Sequence, residues 1–155
     1  MAMTSEELYS LLIPLGDERL IVPRSCVAEV VRYTPTAAVA EDDGWIRDTV
    51  TWRDREVPVL SFEALLDYPI PAVGGRTRVV VFNPLNSADC PAYGVLAQGF
   101  PQMVRVNSEV VQPDLSYQAA DDSPVICRIT MLSETALIPD LEILEPRIAE
   151  AVAVS

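Results

Sequence analysis

Apolar and polar residues alternate in short runs along most of this chain, and the runs are separated by clusters of Gly, Pro, Asn, Asp and Ser. Read for a period of two, the sequence predicts ten short strands near residues 9–14, 19–23, 28–33, 47–52, 56–60, 77–83, 92–98, 102–106, 125–132 and 135–139. Three connections have hairpin chemistry: Leu15-Gly16-Asp17-Glu18, Arg53-Asp54-Arg55 and Leu132-Ser133-Glu134. Ser61 is placed to cap a short helix over 62–67 that Pro69 stops, and a second helix is expected near Asp140. Period two puts Leu11, Ile13, Val57, Val59, Val79, Val81, Ile129 and Leu137 in the core. The Pro- and Gly-rich run from Tyr68 to Gly75 is the clearest internal seam and splits the strands five and five, which fits two small β-barrels sharing one core. The chain is therefore expected to be all-β with few short helices. Residues 1–150 form a single domain whose two barrels meet near 68–76, followed by a frayed tail at 151–155.

Composition narrows the chemistry. A chain of 155 residues, half of them hydrophobic, can bury a core without metal or disulfide help, and its 13 Pro argue against a helical bundle. There are 23 acidic residues against 11 basic ones, a net charge of −12, so nucleic acid and anionic lipid are not expected partners. There is no His, and all 11 basic residues are Arg. These absences exclude an imidazole base, a Ser-His-Asp triad, a His metal ligand, a phosphate-loop lysine and a Schiff base. Cys26, Cys90 and Cys127 lie 64 and 37 residues apart, which matches neither a redox pair nor a zinc site, and they read as small packed or surface residues. The start, Met1-Ala2-Met3-Thr4-Ser5-Glu6-Glu7, has no apolar signal region, and the longest apolar runs are far too short for a helical membrane span. A cytoplasmic protein with reduced thiols, no cofactor and no metal is expected.

Several residues stand out individually. Arg53, at a tight hairpin tip between Trp52 and Asp54, either grips a partner's carboxylate with its guanidinium or is simply solvated. Glu29 lies among Val27, Val30 and Val31 and points outward. Trp45 follows the acidic turn Glu41-Asp42-Asp43-Gly44 and is either a core plug or an interface anchor. The pairs Asp42-Asp43 and Asp121-Asp122 lack the alternating ligands of a calcium loop and read as solvated loops. Gly74-Gly75-Arg76 lacks the spacing of a phosphate cradle.

The segment Val27-Ala28-Glu29-Val30-Val31-Arg32-Tyr33, followed by Val50-Thr51-Trp52-Arg53-Asp54-Arg55-Glu56-Val57-Pro58-Val59, resembles the CheW family of chemotaxis coupling proteins, whose pattern there is V-x-E-[IV] and then G-V-I-N-L-R-G-x-x-[IVL]-P-[IV]-[IV]-D-L. Leu15-Gly16-Asp17-Glu18 and Tyr93-Gly94-Val95-Leu96 sit where that family places comparable features, so the resemblance spans residues 9 to 145. It implies two five-stranded SH3-like barrels sharing a core, no catalytic activity, and a scaffold joining a chemoreceptor's cytoplasmic tip to the regulatory domain of a histidine kinase. It further implies a receptor-facing role for Arg53 and a kinase-facing role for Val27 and Glu29. With Trp45 and Asp48, these residues make up the expected partner-binding set.

The chain also departs from the pattern. Asp48 and Asp54 replace glycines, Thr51-Trp52 replaces Asn-Leu, and Ser61 and Gln98 replace aspartates. Such changes suit a specialised member, for example one serving pilus-driven surface motility. Two other functions are compatible with the composition: a small β-barrel that binds a peptide or metabolite, and a hydrolase built on paired carboxylates.

The charge generates a prediction. Net charge vanishes near pI 4.2, so solubility is expected to fall steeply as pH drops from 7 towards that value. Light scattering across the range checks it, and a flat solubility profile would contradict it.

Overall fold

The computed structural model describes residues 8–35, 44–85, 90–107, 111–118, 123–131 and 134–154. In chain order these residues form β1 (Leu8–Pro14), β2 (Arg19–Pro23), a single 3-10 turn (Arg24–Cys26), β3 (Val27–Arg32), β4 (Ile46–Trp52), β5 (Arg55–Leu60) and α1 (Phe62–Leu65). They continue with β6 (Arg78–Phe82), β7 (Tyr93–Ala97), β8 (Gln102–Val106), β9 (Val111–Pro113), β10 (Val125–Met131), β11 (Glu134–Pro139) and α2 (Leu141–Val154). The ten expected strands are present with ends shifted by a residue at most, because turn chemistry and alternation mark them locally.

Two sheets result. One has six strands in the order β8-β1-β2-β11-β10-β9, the other five in the order β3-β6-β7-β5-β4. The expected five-and-five division thus becomes six and five through β9, which at three residues ending in Pro113 is too short to carry a periodic signal. Two contacts are parallel, β2 with β11 and β5 with β7. The chain leaves the first sheet after Pro23 and returns to it after Ala97. The Tyr68–Gly75 run therefore joins α1 to β6 inside the second sheet and does not divide the barrels. Its composition announces a turn, but the sheet that β6 joins is decided by pairing with β3 and β7.

Three apolar clusters explain why. Leu12, Ile21, Ile129, Met131 and Ala136 fill the first sheet, while Tyr33, Val59, Val79, Val81 and Leu96 fill the second. A larger cluster lies between the sheets and includes Ile13, Leu20, Val22, Leu60, Val80, Phe82, Tyr93, Val95 and Leu137. Neighbouring residues on one strand thus enter different cores, as Val79 and Val81 do on one side of β6 and Val80 and Phe82 on the other. Seven of the eight expected core residues are buried, and Leu11 is half-buried at the margin of the shared cluster.

The helices close this shared cluster. Ser61 Oγ accepts the Ala64 amide at 3.2 Å and caps α1 as expected, and α1 ends at Leu65, short of the expected 67. α2 continues through Pro146 to Val154, so helix reaches into the tail expected to fray at 151–155. Leu144 and the fully buried Ile148 fasten it to the shared cluster, and that burial outweighs the one amide that Pro146 cannot donate.

Gly94 shows how tight the packing is. A Cβ built there falls 2.5 Å from Val79 Cγ1, and valine has few rotamers with which to retreat. Gly94→Ala is therefore expected to destabilise the fold by about 1–3 kcal/mol, a loss that urea unfolding would measure directly.

Candidate functional site

The two-residue turn joining β4 to β5 consists of Arg53 and Asp54, with Trp52 paired to Arg55. Both turn residues have positive φ, 48° and 62°, the type I′ geometry whose twist matches that of the flanking strands. This conformation projects Arg53 outward, and its side chain is two-thirds exposed. The guanidinium lies over the Trp52 ring, with Cζ 4.6 Å from the centroid.

β3 and β4 are the two edges of the second sheet, and Glu29 reaches from one to the other. Its Oε1 accepts Trp52 Nε1 at 3.2 Å and Arg53 NH2 at 3.4 Å. The sheet curls until its edges are latched by a single carboxylate that is itself half exposed. A bulge at the start of β3, where Val27 pairs with Phe82 and Glu29 with Val81, helps to turn Glu29 to this rim. Val27 is half-buried against the shared cluster.

Glu29 and Arg53 are thus brought together, with Val27 on the same edge, whereas Asp48 and Trp45 have other positions. Asp48 is only 3% exposed, and its carboxylate accepts the Tyr33 hydroxyl at 2.9 Å and the Thr49 amide at 2.7 Å. A carboxylate so enclosed is out of reach of a partner, which corrects its place in the expected set. It shares a strand face with Val50 and Trp52, both packed in the second sheet's cluster, and that parity was visible in the sequence. Trp45 packs against the shared cluster, and its carbonyl accepts the Ser61 amide at 2.8 Å, so it takes the core-plug role. The Asp42-Asp43 and Asp121-Asp122 pairs, and Leu132-Ser133 of the third expected hairpin, lie outside the described residues.

Sequence reasoning also passed over an exposed apolar face on the first sheet. Tyr9 and Met103 are 55% and 54% exposed. Tyr9 pairs with Arg105 and Leu11 with Met103 across β1 and β8, so the four side chains share one face. Arg105 sits over the Tyr9 ring at 5.9 Å. On the opposite face of the same strands, where Leu12 pairs with Gln102, Leu12, Pro14, Arg19, Gln102 and the 69% exposed Phe100 line a hollow of about 230 Å³. The parity of β8, with Val104 and Val106 packed inward, is the signal that marks Met103 and Arg105 as outward.

The buried titratable groups are occupied structurally. Glu145 accepts the Leu85 amide at 2.9 and 3.0 Å and the Tyr93 hydroxyl at 2.8 Å. Burial first, and then the charge of Glu145, push the Cys90 thiol up to about 11 and raise that of Cys26. Thiols held protonated in this way are weak nucleophiles. Among the described residues no cluster of three or more His, Cys, Asp or Glu is arranged to hold a metal, and no helix is long and apolar enough to cross a membrane.

Comparison with known proteins agrees with this geometry. The profile of the CheW-like domain matches residues 10–146. By structure the chain is similar to the scaffolding protein TtCheW from Thermoanaerobacter tengcongensis, with a TM-score of 0.71 and 13% identity over 91% of this chain and 89% of that one. No curated protein matches the chain significantly by sequence.

The hairpin tip generates the next prediction. Aspartate at φ 62° is strained where glycine is not, although glycine loses more entropy on folding. Asp54→Gly is therefore expected to change stability by less than about 1 kcal/mol, in the stabilising direction. For the exposed Glu29–Arg53 pair, a double-mutant cycle should give a coupling of only ~0.2–1 kcal/mol. Thermal unfolding of the four proteins measures it, and a coupling above that range would make the latch a principal support of the fold.

Proposed function

The chain belongs to the CheW-like domain family, a family of scaffold proteins, and from that premise we propose that it couples a chemoreceptor's cytoplasmic tip to the regulatory domain of a histidine kinase without catalysing a reaction. The observation that carries this reading is the exposed Glu29–Trp52–Arg53 cluster on the edge of the second sheet. An aromatic, a cation and an anion are held ready there, and both charged groups keep hydrogen-bonding capacity for a partner. The apolar face of Tyr9 and Met103 on the first sheet supplies a second surface of different chemistry. Two unlike surfaces on two sheets suit a protein that holds two partners at once. Arg53, Glu29 and Val27 belong to the first surface in this proposal. Three free thiols suit a reducing, cytoplasmic setting.

The rival functions are supported less well. A hollow of about 460 Å³ has Ala64, Asp67, Tyr68, Pro69 and Ile70 in its wall. These described residues come from one continuous stretch, so polar groups do not converge on it as they do in a small-molecule site. The buried carboxylates Asp48, Glu63 and Glu145 each accept hydrogen bonds from their own separate set of hydroxyl and amide donors, unlike the paired acid and base of a hydrolase.

Charge reversal tests the proposal. Arg53→Glu is expected to weaken binding of the receptor tip or the kinase domain by about 2–5 kcal/mol if the partner charge is desolvated, and by far less at a wet rim. The melting temperature should hardly move, since an exposed turn substitution shifts stability by about 0.5 kcal/mol. Met103→Glu is expected to impair the second surface in the same way. Titration calorimetry with each partner provides the readout, and unchanged affinity in both variants would overturn the reading.

A further inference from the structure

Glu63 is only 2% exposed, in the four-residue helix α1. Its Oε2 accepts the Gly16 amide at 2.9 Å, its Oε1 accepts the Ser61 hydroxyl at 3.3 Å, and the Gln98 side chain also donates to it. These donors come from different parts of the fold. Gly16 is the tip of the β1–β2 hairpin in the first sheet, and Gln98 follows β7 at the point where the chain leaves the second sheet for β8. Pro71 also packs close to the hairpin, since a Cβ on Gly16 would fall 3.2 Å from it.

Gln98 donates its own amide to the Pro14 carbonyl at 2.8 Å. Two residues from each tether stand the walls of the hollow described above, Pro14 on the hairpin side and Phe100 on the other. We infer that Glu63 is a positioning residue: by holding Gly16 and Gln98 together it sets the separation of Pro14 and Phe100, and with it the shape of that hollow. Neither the clasp nor the hollow depends on the proposed function.

The polar groups facing Glu63 are neutral: the Gly16 amide and the Ser61 and Gln98 side chains, with its own amide also donating. Two carboxylates lie next to this arrangement in sequence, Asp17 beside Gly16 on the hairpin and Asp67 beyond α1. Burial raises the Glu63 pKa, and the donors only partly offset it. The folded-state value therefore lies above the unfolded one, so this group favours folding most at low pH and the benefit is lost as pH rises through the folded value. Titration of Glu63 thus changes what Gly16 and Gln98 are bonded to, and offers a readout that mere filling of space would not.

The experiment follows the backbone amide resonances of Gly16, Gln98, Phe100 and Gln102 in the free chain between about pH 5 and 8, in an Asp17→Asn background that removes the neighbouring carboxylate. All four are expected to shift with one common midpoint above the ordinary glutamate range, and to stop shifting when Glu63→Gln is added. A titration confined to Gly16 and Gln98, or one that survives Glu63→Gln, would overturn the inference. Because the measurement needs no partner, its failure leaves the adaptor reading standing, and failed receptor binding leaves the clasp standing.

Discussion

Burial on both faces of the same strands governs this protein. β6 carries Val79 and Val81 into the second sheet's own cluster and Val80 and Phe82 into the cluster between the sheets. β1 and β2 divide in the same manner, with Leu12 and Ile21 on one side and Ile13, Leu20 and Val22 on the other. A sheet apolar on both sides has to be covered on both sides. Each sheet therefore curls over its own cluster and leans on the other through the shared one. The interleaved connections follow, because the chain must cross between sheets to bring β8 beside β1 and β11 beside β2.

Curling a five-stranded sheet brings its edges near each other, and an unpaired edge is a hazard. Glu29 spans that gap with a carboxylate that is half exposed. The contact is weak as a support, and it holds Trp52 and Arg53 in position while the Arg53 side chain stays exposed. The apolar face at β1 and β8 arises differently. It lies where the shared cluster reaches the margin and Leu11 is only half covered. Both surfaces are thus by-products of how the two sheets close, which ties any binding role to the integrity of the shared cluster.

The acidic residues divide by the same logic. Asp48, Glu63 and Glu145 lie within the fold and accept hydrogen bonds from amides or tyrosine hydroxyls. Asp114 is half-buried and held below the usual aspartate value, mainly by Ser116 and less by Arg128. Acidification therefore has opposite effects at different sites: it relieves the burial penalty at Glu63 and removes the favourable charge at Asp114. Composition alone reveals the large negative charge but not this division.

Much of this was legible without coordinates. Alternation and turn residues located ten strands, the Ser61 cap and the Arg53-Asp54 tip, because those signals act over a few residues. The order of motifs from Val27 to Val59 pointed to the family, and the lack of His and Lys removed most catalytic chemistry. The sequence was silent on long-range matters. Asp48 and Trp45 looked available to a partner until packing enclosed one and the shared cluster took up the other. The short β9 and the continuation of α2 beyond Pro146 depend on a neighbouring strand and a buried Ile148, neither of which leaves a local signal. Period and turn chemistry determine what each segment is, whereas the sheet it joins, the side chains that meet there and the charges left exposed are set by burial between residues far apart in the chain.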